Sequence, residues 1–318
     1  MESNETATVN APLVYVVILT WNDTEMTRTC LQSVLGNDYG HFKVIVVDNG
    51  STRPCGEILQ QGFPEIELVV LPENRGFTGG ANAGLRAALE KKPKYIFFLN
   101  NDTEVASDAI SKLVEVQEDT PTCGMATALL TSPTPEGHQK GHVVHFYSAT
   151  VERNIGLHYH HHLWEPVATK DWPNVESEFV PACAILIRAK ALEDVGVFDE
   201  TLGTNWEDYD LCLRFVEKGW KLITVGQARV VHLFSQTTGR KSPYITYYFT
   251  RNRLICMARY ASLKGIAANS ITILRTFYRQ VRDYGFTNWA CHRAFLSAFW
   301  DFSLGRRGHD RVMRSRKG

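Results

Sequence analysis

The sequence predicts an α/β protein built on a doubly wound, mostly parallel sheet, and three observations lead to this prediction. Four apolar, strand-like runs alternate with helical patterns in about the first 100 residues, which is typical of βαβ units. The run at 95–99 (YIFFL) is uninterrupted, as expected for a strand covered on both faces. Three runs end near Asn22, Asp48 and Asp102, and ligands of such sheets bind beyond the carboxyl ends of strands.

The first half of the chain reads as a regular series of elements. Residues 13–20 (LVYVVILT) predict a first strand, and the following turn opens a helix with apolar residues at helical spacing. The later patterns predict strands at 43–47, 66–71 and 95–99, a helix at 85–90 after a glycine-rich segment, a helix opened by Ser107-Asp108, and a strand near 125–130.

The second half is less regular. Residues 131–178 break the alternation and contain the histidine-rich run 158–162 (HYHHH). Neighbouring residues of an extended chain point in alternate directions and cannot all face one ion, so the run predicts a solvent-facing or substrate-lining loop rather than a metal site. The patterns then predict a strand at 179–188, a helix at 206–215 and a strand pair at 221–231 ending at His232.

Composition excludes several classes of protein. The chain has 318 residues, of which 44% are hydrophobic, and residues 1–11 have neither the basic start nor the apolar core of a signal peptide. No apolar run approaches the roughly 18 residues of a membrane span, so we expect a cytoplasmic protein. The seven cysteines are odd in number and form no Cys-x-x-Cys, which predicts free, mostly buried thiols.

The net charge of zero hides a strong asymmetry. Residues 240–318 contain 16 Lys and Arg against 3 Asp and Glu, a charge of +13, and the rest of the chain carries −13. We therefore expect a disordered segment at 1–11, a catalytic domain at 12–240 and a basic, amphipathic helical extension at 241–318. The apolar residues of the extension fall in three blocks, around Tyr244–Met257, 266–284 and Trp289–Trp300.

The extension has two interpretations. Helices with aromatic faces and basic residues attach to anionic membrane surfaces, here the inner face of the cell membrane. Alternatively, the helices pack on the acidic domain or on another subunit as a homo-oligomer. A nucleic-acid partner is disfavoured because no recognition motif accompanies the charge.

Polar residues with ligand chemistry follow the central strand. Asp102, with Asn100 and Asn101, offers the oxygen ligands that Mg²⁺ or Mn²⁺ prefers. The same Asn-Asn-Asp pattern is also typical of a turn that caps a helix. The acidic residues Glu207 and Asp208 begin a predicted helix, where carboxylates are common because they stabilise the N-terminus.

Together these motifs resemble an inverting family 2 glycosyltransferase of the GT-A fold, within the bacterial rhamnosyltransferase-like branch. The resemblance covers roughly residues 13–260. Many relatives carry Asp-x-Asp or Asp-Asp where this chain has Asn-Asn-Asp, so only Asp102 supplies a charged metal ligand. The motifs, in the family's order, are Thr20-Trp21-Asn22, Val47-Asp48-Asn49-Gly50-Ser51, residues 74–84 (NRGFTGGANAG), Asn100-Asn101-Asp102, residues 206–214 (WEDYDLCLR) and His232.

The resemblance implies a pocket for the nucleotide-sugar donor. Asp48 would accept the ring N–H of a pyrimidine, although a plain turn-forming Asp is the alternative. Arg75 would pair with the diphosphate, and glycines would let the backbone approach the donor closely. The donor-binding residues expected on this basis are Thr20, Asn22, Asp48, Asn49, Arg75, Gly76, Gly79, Gly80, Asn82, Asn100 and Asn101.

The resemblance also implies a metal site and a base. Asp102 and His232 would hold Mg²⁺ or Mn²⁺, unless His232 is a plain core histidine. Asp208 is the expected base, with Glu207 as the alternative because successive residues at a helix start point about 100° apart. Asp210 and Arg214 are at i and i+4 and would form a helix-surface pair.

The implied function is transfer of a sugar, with rhamnose from dTDP-rhamnose ahead of UDP-linked sugars, to a hydroxyl of a cell-surface glycan or lipid-linked acceptor. A catalytically silent sugar-binding or scaffold module is an alternative, because the metal turn has one carboxylate fewer than in many relatives. A sugar nucleotidyltransferase would need a glycine-rich basic loop near the first strand, and an oxidoreductase would need the glycine fingerprint there. Neither pattern is found in the sequence.

Overall fold

A computed structural model describes residues 11–133, 142–233, 242–262 and 288–308, together with residues 275, 278, 282 and 285. Residues 1–10 of the segment predicted to be disordered, and most of the second apolar block at 266–284, lie outside the described residues. The strands are β1 Val14–Thr20, β2 Phe42–Asp48, β3 Glu67–Val70, β4 Tyr95–Asn100, β5 Thr103–Val105, β6 Cys123–Pro133, β7 His142–Phe146, β8 Ser148–Glu152, β9 Leu157–His161, β10 Val175–Ser177, β11 Ala184–Arg188 and β12 Lys221–His232. The helices are α1 Thr24–Leu35, α2 Cys55–Gly62, α3 Gly76–Glu90, α4 Ala109–Asp119, α5 Ala189–Val195, α6 Glu207–Glu217, α7 Pro243–Tyr260 and α8 Trp289–Ser303.

The main sheet confirms the predicted α/β class. Its strand order is β10-β12-β6-β11-β4-β1-β2-β3. The half built from β3, β2, β1 and β4 is parallel throughout, and these are the first four predicted strands. β11 then joins antiparallel to both β4 and β6, and β12 pairs in parallel with β6. The carboxyl ends of β1, β2 and β4 therefore meet at one edge.

The central strand β4 is buried because apolar residues cover both of its faces. Every residue from Tyr95 to Leu99 has no exposed surface, as the continuous apolar run predicts. Phe98 contacts the rings of Phe77 and Phe198 edge to face, at centroid distances of 5.8 and 5.9 Å. Burying one such side chain contributes about 1.5–3 kcal/mol, so this cluster fixes α3 and the 198 segment on the sheet.

Helix α3 begins at Gly76, nine residues earlier than predicted, and this changes the role of its glycines. A Cβ on Gly84 would lie 2.4 Å from Cγ1 of Val17, and one on Gly80 would lie 2.7 Å from Cδ1 of Leu19. These glycines therefore let the helix pack closely on β1. The expectation that Gly80 gives a donor close access to the backbone is wrong, because the space beside it is filled by the protein.

Three further expectations about elements are corrected. The strand predicted at 179–188 begins only at Ala184, after Pro181, which has no N–H to donate to a neighbouring strand. The strand pair predicted at 221–231 is the single strand β12, in which a bulge between Val225 and Arg229 shifts the register against β6. Residues 158–161 of the histidine-rich run lie in β9, which pairs with β8 in a two-stranded sheet, and do not form a loop.

The first and third apolar blocks of the extension form α7 and α8, which pack together. Tyr247, Tyr248 and Ala298 form a small apolar cluster, and the Tyr247 hydroxyl donates to Asp301 Oδ2 at 2.7 Å. The outer face of α8 carries exposed Trp289 and Trp300. Across the described parts of the chain, no helix combines the length and the apolar character needed to cross a membrane. All seven cysteines are free and buried, as predicted.

Candidate functional site

Asp102 and His232 meet at the carboxyl edge of the sheet although 130 positions separate them. The short strand β5 follows Asp102 directly and pairs antiparallel with the end of β12, so that Thr103 lies opposite His232. Asp102 Oδ1 lies 3.2 Å from His232 Nε2, and both side chains are largely buried. The structure thus brings the two expected metal ligands together.

His145 of β7 contacts His232 from the other side, and no motif in the sequence pointed to this residue. The two imidazole rings stack at a centroid distance of 4.9 Å and an angle of 8°. Their Nδ1 atoms are 3.1 Å apart, a distance at which one nitrogen donates to the other. A second partner of this kind fixes the ring orientation of a metal-binding histidine, which leaves Nε2 to face Asp102.

The donor set at this point fits a divalent cation. The carboxylate oxygen of Asp102 and the imidazole nitrogen of His232 lie 3.2 Å apart, and both kinds of atom bind divalent metal ions in proteins. Within the described ranges there is no group of three or more His, Cys, Asp or Glu side chains arranged to hold an ion. Cations with so few protein ligands are completed by substrate phosphates and water, so the site suits a metal that arrives with a diphosphate.

The acidic start of α6 holds two carboxyl groups with different environments. Glu207 is buried, its Oε2 has no hydrogen-bond partner among the described residues, and burial followed by the charge of Asp208 raises its pKa well above the usual range. Burial raises the pKa of Asp208 to about 6, although backbone N–H groups of Tyr209 and Ala182 favour its charged form. Of the two carboxyl groups, Glu207 therefore has the higher affinity for a proton, and Asp208 is the one that ionises more readily.

Cys183 is influenced by both acidic positions. Burial, followed by the charges of Asp102 and Asp208, raises the pKa of its thiol. Its carbonyl accepts the backbone N–H of Asn100 at 2.9 Å, which ties the residue before β11 to the end of β4. The charges of Asp102 and Asp208 thus act on the same thiol.

The loop after β2 is closed by Asp48. Its Oδ1 accepts the Ser51 N–H at 2.9 Å and its Oδ2 accepts the Gly56 N–H at 2.9 Å. Asn22 joins the neighbouring loop to it, since its Oδ1 accepts the Thr52 N–H at 2.8 Å. The turn-forming role of Asp48 is therefore realised, and a pyrimidine N–H would share an oxygen that already accepts one bond.

Asn49 connects the same edge to the start of α3. Its backbone N–H donates to the Thr20 carbonyl at 3.0 Å, its Oδ1 accepts the Arg75 N–H at 3.0 Å, and its Nδ2 donates to the Gly76 carbonyl at 2.9 Å. A Cβ on Gly79 would lie 2.7 Å from Cβ of Arg75. Five residues of the predicted donor set are thus neighbours, and their contacts connect the loops at this edge of the sheet. They are Thr20, Asn49, Arg75, Gly76 and Gly79.

Glu200 contacts Arg75, Arg86 and Asn82 near α3, and no sequence motif had pointed to it. It accepts from Arg75 Nη2 at 3.3 Å, from Arg86 Nη2 at 3.0 Å and from Asn82 Nδ2 at 3.0 Å. Asn82 is fully buried and also bonds both backbone groups of Phe198. The donor-binding role expected for Asn82 is corrected on this ground, because its amide faces only protein.

The structure adds a contact for Asn101 and corrects the expected surface position of Asp210. Asn101 Nδ2 donates to Thr27 Oγ1 at 3.1 Å, so this amide fixes the turn before Asp102. Asp210 is buried rather than on a helix surface, and it accepts from Arg259 and Tyr260 of α7 at 2.9 and 2.7 Å as well as from Arg214 at 2.8 Å. The extension therefore contacts the helix that carries Asp208.

The histidine-rich strand packs against this region instead of facing solvent as a whole. The His158 ring stacks on Phe179 at a centroid distance of 4.3 Å and lies 6.3 Å from Trp206. Burial and the neighbouring His160 lower the pKa of His158 to about 4, so its imidazole is neutral near pH 7. His158 is thus a packing residue beside α6.

Comparison with known proteins adds the family. Residues 15–196 match the model of glycosyl transferase family 2. The chain is 23% identical over 254 residues to the dTDP-rhamnosyl transferase RfbF of Shigella flexneri, with 77% of this chain and 80% of that protein covered. It is 29% identical over 229 residues to the O-antigen biosynthesis protein RfbC of Myxococcus xanthus, covering 70% of this chain but 17% of that protein.

A third relative and two solved structures complete the comparison. The pre-mycofactocin glycosyltransferase of Mycobacterium tuberculosis is 30% identical, over 69% of this chain and 42% of its own length. GalNAc-T7 with UDP, GalNAc and Mn²⁺ matches 77% of this chain and 48% of its own at a TM-score of 0.59 and 17% identity. S. aureus TarS matches 86% and 44% at a TM-score of 0.53 and 14% identity. These likenesses confirm the predicted GT-A fold.

Proposed function

The chain belongs to glycosyl transferase family 2, and from this premise we propose that it is an inverting transferase that moves a sugar from a nucleotide diphosphate to an acceptor hydroxyl. The observation that carries the proposal is that two acidic residues, Asp102 and Asp208, have different surroundings. Asp102 faces an imidazole, whereas Asp208 lies beside Glu207, whose pKa burial raises well above the usual range. The charges of Asp102 and Asp208 both act on the thiol of Cys183.

Asp208 is the proposed base. Inversion requires a carboxylate on the face opposite the leaving group, which takes the proton of the attacking hydroxyl. Glu207 is disfavoured in this role because burial and the charge of Asp208 raise its pKa well above the usual range, which disfavours its charged form. Burial raises the proton affinity of the Asp208 carboxylate, which suits a group that must accept a proton during the reaction.

Asp102 and His232 are the proposed ligands of Mg²⁺ or Mn²⁺, and His145 holds His232 in place. When bound there, the cation would neutralise charge on the leaving diphosphate, an effect worth several kcal/mol. Arg75 would add a guanidinium. Its pair with Glu200 is partly exposed and worth about 0–1 kcal/mol, so a diphosphate can compete for it.

The donor is proposed to be dTDP-rhamnose, ahead of UDP-sugars, and the acceptor a surface glycan or a lipid-linked sugar. The support is the dTDP-rhamnosyl transferase relative that matches most of both chains. The predicted pyrimidine pocket at Thr20, Asn22 and Asp48 agrees with such a donor. Asn49 shapes this pocket through the three bonds described above.

A panel of nucleotide sugars, assayed for donor hydrolysis with and without Mg²⁺ or Mn²⁺, tests the proposal. We expect a pyrimidine nucleotide sugar, with dTDP-rhamnose first, to be hydrolysed only when the metal is present. Binding without turnover would favour the silent module, and release of pyrophosphate from a nucleoside triphosphate would favour a nucleotidyltransferase. A preference for a purine nucleotide would overturn the base pocket.

The extension is proposed to attach the enzyme peripherally to the inner leaflet of the cell membrane. Trp289, Arg293, Leu296 and Trp300 lie at helical spacing on the exposed face of α8. Aromatic residues insert at the bilayer interface, and each basic residue near an anionic surface contributes about 1 kcal/mol. A lipid-linked acceptor would be met at that surface.

Flotation with vesicles checks this attachment. The full chain is expected to float with anionic vesicles at low salt and to remain below with neutral ones. A W289A/W300A variant should lose most of the binding, whereas Tyr159→Ala, which removes an exposed aromatic elsewhere, should not. If the full chain ignores anionic vesicles and truncation before Tyr244 unfolds the protein, the extension serves packing or oligomerisation instead.

A further inference from the structure

We propose that Arg251 and Asn252 of α7 are positioning residues for Asp208, because they hold the loop at 201–205 that leads into α6. The inference rests on the proposed function, which makes Asp208 the base. It assigns part of the basic extension to the catalytic machinery, in addition to any role at a surface.

The turn that presents Asp208 has an unfavourable backbone conformation. Asn205 and Trp206 both have positive φ angles, 61° and 74°, and neither is glycine. Asn adopts the left-handed conformation more readily than other non-glycine residues, so the cost falls mainly on Trp206, whose conformation persists because the surroundings determine it. Because Trp206 directly precedes the first turn of α6, its conformation sets the direction in which the Asp208 carboxylate points.

Asn252 supplies much of that determination. It is fully buried, and its Nδ2 lies 2.8, 2.7 and 2.8 Å from the carbonyl oxygens of Leu202, Thr204 and Asn205, which share its two N–H hydrogens. Its Oδ1 accepts from Arg251 Nε at 2.9 Å, which fixes the orientation of the amide. One side chain of α7 thus binds the loop at three carbonyls, including the one before Trp206.

Arg251 binds the start of the same loop. Its guanidinium is 2% exposed, and its Nη2 donates to the carbonyls of Leu202 and Thr201 at 2.9 and 3.2 Å. Its Nη1 donates to the Gly308 carbonyl at 2.8 Å, and the Gly308 N–H returns to Thr201 at 2.8 Å. Buried cations require hydrogen-bond acceptors, so Arg251 and the loop depend on each other.

The opposite side of the loop is held by α3. The backbone N–H and the hydroxyl of Thr78 both reach the Gly203 carbonyl, at 3.0 and 3.3 Å. All five carbonyls from Thr201 to Asn205 are therefore bound by side chains or backbone from outside the loop. Releasing the α7 side would remove the contacts to the Leu202, Thr204 and Asn205 carbonyls and leave the α3 contact to Gly203 in place. A displacement of about 1 Å at a reacting group can cost about 10²-fold in rate.

Asn252→Ala tests the inference in the full-length protein. The turnover number should fall about 10- to 100-fold while the dissociation constant for dTDP stays within about twofold, because the donor loops are untouched. Amide hydrogen exchange should accelerate in peptides covering 201–209. Since burial raises the pKa of Asp208, a carboxylate released toward solvent should titrate lower, and the acid limb of the turnover profile should move to lower pH.

Ile255→Ala is the matched control, since it removes buried apolar atoms from the same helix without removing a bond to the loop. It should lower the melting temperature while keeping the turnover number and its pH profile. An unchanged turnover number in Asn252→Ala, or equal losses in both variants, would overturn the positioning role. If the wild type turned over no nucleotide sugar, the proposed function would fail by itself. Unaltered exchange at 201–209 in Asn252→Ala would separately show that Asn252 does not hold the loop at 201–205.

Discussion

Asp208→Asn is expected to lower the turnover number of sugar transfer by about 10²- to 10⁴-fold, the range that a positioned general base contributes. The amide keeps the shape of the carboxylate but cannot accept the acceptor proton. Calorimetric titration with dTDP should give a wild-type dissociation constant, because Asp208 has no proposed contact with the donor nucleotide. Steady-state rates of the two proteins provide the measurement.

Glu207→Gln is the control for this variant and should retain most of the turnover number. Burial raises the pKa of Glu207 well above the usual range and so favours its neutral form, which a neutral amide resembles. Loss of activity in Glu207→Gln instead would show that the base is assigned one residue too late.

The pH dependence of the wild type follows from the same pair. The active form of Asp208 is the charged one, and burial raises its pKa to about 6. Turnover should therefore be constant above that pH and fall as the pH decreases through about 6. Glu207 is the neighbouring carboxyl group on the same helix, and the charge of Asp208 also acts on the thiols of Cys183, Cys212 and Cys256.

Asp102→Ala is expected to reduce turnover on the order of 10²-fold or more, since it removes the one carboxylate of the proposed metal site. It should also weaken the binding of dTDP when Mg²⁺ or Mn²⁺ is present, and leave the metal-free binding nearly unchanged. Titration of dTDP in both conditions separates a lost metal ligand from a general loss of structure.

Glu104→Ala is suited as the comparison, because it removes a carboxylate from β5 two positions away from Asp102. It should keep both turnover and metal-dependent binding. Full wild-type activity in the presence of a chelator would contradict the metal site, whatever the behaviour of Asp102→Ala.

The order of the elements and the polar ends of the strands could be predicted from the sequence. Apolar runs such as 95–99 have one stable environment, the interior of a sheet covered on both faces, so β1, β2 and β4 were predicted within about one residue. Asp102 was predicted as a ligand because it follows the carboxyl end of a central strand, and Asp208 was predicted as a base because the residues around it resemble a motif of the family. The acidic pair at 207–208 was predicted, but the choice of base was left open.

The remaining features depend on contacts between residues that are far apart in the chain. The spacing of residue types does not specify the partners in these contacts. Asp102 meets His232 because β5 pairs with the end of β12, and His145 joins them from β7. Burial, which depends on the whole fold, separates the pKa of Glu207 from that of Asp208. The extension looked separable because the charge changes sharply near residue 240. Asn252 nevertheless binds the loop at 201–205 by hydrogen bonds to backbone carbonyls. Every residue has such carbonyls, so only the tertiary structure determines which of them a distant amide reaches.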